Sequence, residues 1–198
     1  MFLRYFLPVY LFVYLVAAFL WRTYSVWKKT GVNPVTFKQT ESAHDLIGRL
    51  FKLVFVLVVL VLLVYSFAPQ LYEHTMPIKL FRNQWVSLTG IVLLVLSLLW
   101  TIIAQARMGD SWRIGIDSEQ RTSLIQSGLF SVSRNPIFVG MMITLLGLFL
   151  VIPNMLTLVA LVVGAVLISI QVRLEEEHLL RLHGEEYERY RQRVRRWL

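Results

Sequence analysis

The sequence predicts an all-α integral membrane protein with five transmembrane helices, the last two a tight hairpin, followed by a cytoplasmic C-terminal amphipathic helix. Three observations carry this. The 198 residues are 57% hydrophobic, with a mean hydropathy of +0.62, more apolar sequence than a soluble domain of this size can bury. The apolar residues fall into long runs of the length a bilayer requires. The basic residues behind the net charge of +8 sit in the gaps between runs and in the tail, as membrane proteins place them. That placement argues against nucleic acid as the partner. The absence of cysteine excludes disulfides, thiolate metal sites and a cysteine nucleophile.

The first span covers residues 3–21, with Pro8 in its early turns as a possible bend. Bulky Phe19, Leu20 and Trp21 after Ala17 and Ala18 argue against a cleavage site, so this span is read as retained. A polar connection with Lys28, Lys29, Lys38, Glu41, His44 and Asp45 follows, turning at Asn33-Pro34. Span two covers residues 50–67 and stops at Ala68-Pro69. Span three covers residues 85–106, with Trp85 and Trp100 as interfacial anchors. A polar loop with Gly109, Asp110, Trp112, Arg113, Gly115, Asp117, Glu119 and Arg121 leads to Arg134.

Asn135 then reads as an N-cap and Pro136 as the first helical residue. The start of span four therefore offers free N–H groups and a partial positive charge to an anion. A capped helix with a snorkelling Arg134 explains the same residues. Span four covers residues 136–152, roughly 25 Å of helix against a hydrocarbon core of about 30 Å. Pro153-Asn154 is a two-residue break, which makes spans four and five an antiparallel hairpin. Gly140, Gly147, Ala160 and Gly164 would let its backbones approach closely.

Span five covers residues 155–172, but no breaker follows it, so the helix runs on to Gly184. Beyond that glycine, Tyr187, Tyr190, Val194 and Trp197 recur at helical spacing, with Arg189, Arg191, Arg193, Arg195 and Arg196 on other faces. Such a helix lies on an anionic leaflet or folds back over the hairpin. Counting Lys and Arg in the gaps places the N-terminus outside and the C-terminus in the cytoplasm.

The hairpin brings the end of span five beside the start of span four. Glu176 then falls near Arg134 and Asn135, giving a carboxylate, a guanidinium and a helix end suited to a zwitterionic ligand. Glu175, Glu176 and Glu177 also fit a solvated helix face. The four histidines make no metal site: His178 and His183 lie on different helix faces, and His44 and His74 on opposite membrane sides. No catalytic triad, phosphate loop or dinucleotide glycine motif is present.

The residues of the C-terminal half match a family pattern. Gly128-Leu129-Phe130, then Arg134-Asn135-Pro136-Ile137-Phe138-Val139-Gly140, is followed two helices later by Glu175-Glu176-Glu177-His178-Leu179 and by His183-Gly184-Glu185-Glu186-Tyr187-Glu188-Arg189-Tyr190. This stretch resembles the isoprenylcysteine carboxyl methyltransferase family and its wider group of membrane methyltransferases, which includes phospholipid methyltransferases. Ser111 to Asp117 also looks like a segment common in bacterial members. The resemblance covers residues 107–196. It divides the chain into three N-terminal helices (1–106) and a methyltransferase-like catalytic core (107–198).

The resemblance implies S-adenosylmethionine as methyl donor. It implies cofactor-binding roles for Asn135, Pro136, Phe138, Gly140, Glu175, Glu176, Tyr187 and Tyr190. The reacting groups would be handled by Arg134, Glu176 and Arg113. The expected acceptor is lipid-like or prenylated, entering between helices, with a carboxylate favoured because it needs no general base. A small thiol or amine acceptor, or a non-catalytic binding or assembly module, stays open. The sequence departs from the pattern at Asn135 (histidine in the family), Phe138 (tyrosine) and His183 (phenylalanine). Asn135 keeps hydrogen bonding but carries no titratable proton.

Overall fold

The computed structural model describes residues 2–35, 43–113 and 123–198. Lys38, Glu41, Gly115, Asp117, Glu119 and Arg121 lie outside the described residues. The described residues are largely helical, with an isolated bridge between Pro77 and Asn154 and no strand among them. We label the helices α1 (Phe2–Thr30), α2 (Ala43–Phe67), α3 (Gln84–Met108), α4 (Pro136–Val151), α5 (Met155–His183) and α6 (Glu185–Arg193). Among them α1, α2, α3 and α5 are long and apolar enough to cross a membrane, while α4 is a shorter apolar helix. The fold is therefore a multi-pass membrane fold with four such helices plus α4, which corresponds to the short fourth span expected.

Helix ends follow local chemistry, with instructive exceptions. Helix α1 outruns its expected end at Trp21 and stops at Gly31, whose N–H reaches the Trp27 carbonyl at 2.8 Å. Pro8 sits inside α1, and the irregular turn comes later, as a π-helical segment at Leu15–Leu20. Gln105 of α3 donates to the Ala18 carbonyl there at 3.0 Å, joining the two helices where the regular ladder is loosened. Asn83 caps α3. Asn154 caps α5 in a reciprocal box with Thr157. Trp85 is exposed as an interfacial residue would be, but Trp100 turns inward and donates to the Pro136 carbonyl at 2.8 Å.

The helices form a closed ring. Helix α1 packs on α2, α2 on α5, α5 on α4, α4 on α3, and α3 back onto the π turn of α1. Each presents large apolar side chains outward: Phe12, Leu53, Leu99, Leu146 and Val162 are all exposed. An apolar exterior on every helix of a ring suits lipid as solvent. Inside, Leu7, Tyr10, Val61, Leu62, Leu94, Leu148, Val151 and Ile152 form the main apolar cluster, toward the Pro153 end. The buried Thr101, Gln105, Gln171, Asn135 and Glu176 lie toward the other end.

The small residues do not act as the hairpin reading assumed. Gly164 does face α4, where a methyl group would meet Leu145. Gly140 and Gly147 instead face α3: a methyl group at Gly140 would run into the Thr101 hydroxyl, and one at Gly147 would lie 3.0 Å from Leu94. The glycine seam therefore joins α3 to α4. A small residue permits close approach by any neighbour, and the residue pattern does not say which helix takes it.

A methyl group at Gly90 would stand 2.8 Å from the Gly147 carbonyl oxygen and 2.9 Å from the Val151 nitrogen. Backbone cannot yield as a side-chain tip can. Gly90→Ala is expected to cost about 1–3 kcal/mol, seen as a lowered thermal midpoint in detergent. An unchanged midpoint would show that the α3–α4 seam is looser than described.

Candidate active site

The site grows from a short turn and a helix start. A 3-10 turn at Gly128–Ser131 carries the chain to Ser133, which is fully buried. The Ser133 hydroxyl accepts the Asn135 N–H at 3.1 Å and donates to the Arg196 carbonyl at 3.3 Å. Proline at the first helical position then starts α4. Asn135 occupies the N-cap position but makes no capping bond. Its amide nitrogen donates instead to Glu176 Oε1 at 3.0 Å and to the Arg196 carbonyl at 3.2 Å. The side chain thus cross-links α4 to α5 and the tail through its amide nitrogen, and its oxygen does not close the helix end.

Glu176 is the hub. Its Oε1 accepts Arg134 Nε at 3.1 Å as well as Asn135. Its Oε2 accepts Arg134 Nη2 at 3.3 Å, Arg196 Nε at 3.1 Å and Arg196 Nη2 at 2.8 Å. The Arg134 and Glu176 side chains are each 8% exposed. Arg134 Nη1 donates to the Arg191 and Val194 carbonyls, both at 2.9 Å, and the Arg134 N–H meets the Arg195 carbonyl at 2.9 Å. The charged tail therefore folds back over the start of α4.

Gly184 makes that return possible. Its φ of +52° lies in the left-handed region, which glycine adopts without steric cost. The turn directs α6 back so that Tyr187 and Tyr190 are buried. The Tyr190 hydroxyl donates to the Phe130 carbonyl at 2.6 Å. The Tyr187 hydroxyl is buried with no hydrogen-bond partner.

The sequence-predicted residues divide accordingly. Arg134, Asn135 and Glu176 come together, with Tyr187 and Tyr190 behind them. Pro136 is buried at the helix start and Phe138 is half-buried. Gly140 packs against α3, away from this cluster. Arg113 is half-buried and turns Nη1 onto the Trp112 carbonyl at 2.9 Å. Glu175 is half-buried and Glu177 exposed. Sequence reasoning missed Arg196, which lies beyond the last helix and is recruited only by tertiary folding. It also missed Gln171, buried with its Oε1 unbonded, although an amide in an apolar run was a readable signal.

The two neighbouring glutamates behave oppositely. Both follow Arg173 in a densely charged stretch that cannot lie in hydrocarbon. Burial pushes the Glu176 carboxyl up, but hydrogen bonds from Arg196 and Asn135, with the charges of Arg134 and Arg196, hold it below the ordinary range. Burial and the Glu176 charge push Glu175 up to about 7. One is a fixed anion, and the other is poised between states.

Comparison with known proteins gives three findings. The sequence model of the phospholipid methyltransferase family matches residues 85–186. Among curated proteins no sequence match is found. One solved structure, that of the eukaryotic intramembrane Ras methyltransferase (isoprenylcysteine carboxyl methyltransferase) without a monobody, is similar with a TM-score of 0.57 at 19% identity. The match covers 87% of this chain and 58% of that one. At that identity the likeness shows a shared fold, over just under three fifths of that protein's length.

Two stability measurements test this electrostatic frame. Glu176→Ala strands a buried guanidinium and is expected to cost about 3–5 kcal/mol, whereas Glu185→Ala, which breaks an exposed pair with Arg189, should leave the thermal midpoint unchanged. The raised Glu175 makes the folded state hold a proton longer than the unfolded chain. Stability from this group is therefore greatest below pH 4.5 and declines as pH rises toward about 7. The midpoint of wild type minus that of Glu175→Gln should fall across this window, and a flat difference would contradict the assignment.

Proposed function

Because the chain belongs to the phospholipid methyltransferase family, we propose that it is an integral-membrane enzyme transferring a methyl group from S-adenosylmethionine to a lipid-like or prenylated acceptor. The observation that carries this is the cross-link of Arg134 and Asn135 to Glu176, which gathers the matched motifs around one helix start. S-adenosylmethionine, when bound, supplies an activated methyl group on a sulfonium that is displaced in line. The residues present suit such a donor. Helix α4 begins without a side-chain cap, so its leading N–H groups favour a carboxylate. Glu175 and the unpartnered Tyr187 hydroxyl offer oxygen to an ammonium or a ribose.

The chain's own task is alignment and exclusion of water. Arg134 and Glu176 spend most of their hydrogen bonds on each other, on Arg196 and on tail carbonyls. They act as positioning residues that fix α4, α5 and the tail. Pro136, Phe138, Tyr187 and Tyr190 enclose the donor, and Gly140 sets the spacing of α4 from α3. Arg113 is the candidate to hold an acidic acceptor. A carboxylate remains the favoured acceptor group, since an amine must first lose a proton. We place the catalytic core at residues 107–198, supported by α3 from the N-terminal helices. The N-terminus faces outside and the site end faces the cytoplasm, following the distribution of basic residues.

One observation favours a second reading, a non-catalytic membrane module. Asn135 and Phe138 replace titratable or hydroxyl-bearing residues of the family pattern, and the Asn135 amide nitrogen spends its hydrogen bonds on structure. Incubating the purified chain with labelled S-adenosylmethionine and native membranes, followed by mass spectrometry, separates the two. Label in the lipid or prenyl-protein fraction is expected, with Arg134→Ala reducing it at least tenfold. No donor binding by calorimetry would favour the module.

A further inference from the structure

Helix α1 is longer than a hydrocarbon core requires. Its 29 residues rise about 43 Å against a core of about 30 Å. The excess lies at the site end. Helices α1 and α3 run parallel, tied by the Tyr10 hydroxyl to the Leu94 carbonyl, by Gln105 to the Ala18 carbonyl and by Arg22 to the Gly109 carbonyl. Helix α3 ends at Met108, level with Arg22. Helix α1 continues for about eight residues more, roughly 12 Å, and stops at Gly31.

That extension has two sides. Val26 is buried. At about 100° per residue, Trp21, Tyr24, Trp27 and Lys28 share an arc of about 120° on the opposite side, with Lys29 flanking it. Trp21, Tyr24 and Trp27 are 66%, 49% and 54% exposed, and Lys28 and Lys29 are exposed as well. The Tyr24 and Trp27 rings stand 6.4 Å apart, and Lys28 Nζ lies 5.8 Å from the centre of the Tyr24 ring. Lysines in a last turn complement the helix dipole, which explains the charge and leaves three exposed rings unexplained. Indole and phenol rings favour the head-group level. These three rise over about 9 Å, close to the roughly 5–8 Å depth of that layer on one side.

The tail, the other basic element, commits its arginines elsewhere. Arg189 and Arg191 pair with Glu185 and Glu188, Arg193 donates to Gln126, and Arg196 holds Glu176. The segment Trp21–Thr30 contains no carboxylate, so its charge is positive throughout.

We propose that the exposed face of residues 21–29 binds anionic phospholipid head groups. The rings lie at the glycerol level, and Lys28 and Lys29 meet the phosphate and its uncompensated negative charge. A zwitterionic head group offers the same phosphate beside a neutralising ammonium, so net charge is what the lysines distinguish. None of these residues belongs to the Glu176 hub, and lipid binding here is independent of methyl transfer.

Native mass spectrometry of the full chain from detergent micelles tests this, with dioleoylphosphatidylglycerol and dioleoylphosphatidylcholine titrated separately. Wild type is expected to bind the anionic lipid at least about fivefold more tightly. Lys28→Gln combined with Lys29→Gln should bring the two lipids within about twofold of each other and leave phosphatidylcholine binding unchanged. Tyr24→Ala combined with Trp27→Ala should weaken both lipids. Arg189→Gln combined with Arg191→Gln, in the tail, should keep the preference. The surface is overturned if wild type shows no preference, if the lysine variant retains it, or if the tail variant loses it as fully. Unchanged binding by the aromatic variant would also overturn it, as would a dimer of the chain that the lysine and aromatic substitutions abolish.

Discussion

The buried Glu176 carboxylate is the constraint on which the rest of the site depends. A lone carboxylate so far from water would be strongly disfavoured. Five N–H groups from Arg134, Asn135 and Arg196 make it tolerable. Those donors come from the start of α4 and from the tail, while the carboxylate belongs to α5. Satisfying one charge thus fixes three segments distant in sequence. Desolvation offsets much of the attraction in such a pair, whereas removing one partner leaves an uncompensated buried charge.

The two ends of the bundle are built differently. Near Pro153 the helices meet through an apolar cluster, and the connections lock together: Ile78 donates to the Pro153 carbonyl and Met155 to the Met76 carbonyl. At the other end the interior is polar, and order comes from directed bonds. Dispersion packing tolerates substitution of similar volume. Directed bonds to a buried charge do not, so the site end is the more sequence-sensitive half.

Much of the fold was readable because each signal was local. Apolar runs, Ala68-Pro69, Pro153-Asn154 and Gly184 mark boundaries through their own backbone preferences. The approach of Glu176 to Arg134 was also readable, since a turn of a few residues dictates which helix ends are neighbours. What failed needed knowledge of partners. Gly140 and Gly147 announce close packing without naming α3. Asn135 could cap or cross-link, and the choice was made by a carboxylate 41 residues away. Arg196 follows the last helix and has no periodicity to mark it. The overextended α1 shows a milder failure: hydropathy ends a span where polarity begins, but a helix ends only where the backbone is told to stop.

Helix α4 has 16 residues, about 24 Å of rise, some 6 Å less than a typical hydrocarbon core. The Arg134–Glu176 pair at its start is consequently set at the edge of a low-dielectric layer and shielded by the tail. Counterions reach such a pair poorly. Exposed pairs such as Arg189 with Glu185 and Arg191 with Glu188 loosen as ionic strength rises, while the pair beneath them is barely screened. Salt therefore acts on the surface of the tail and leaves the geometry of the site in place.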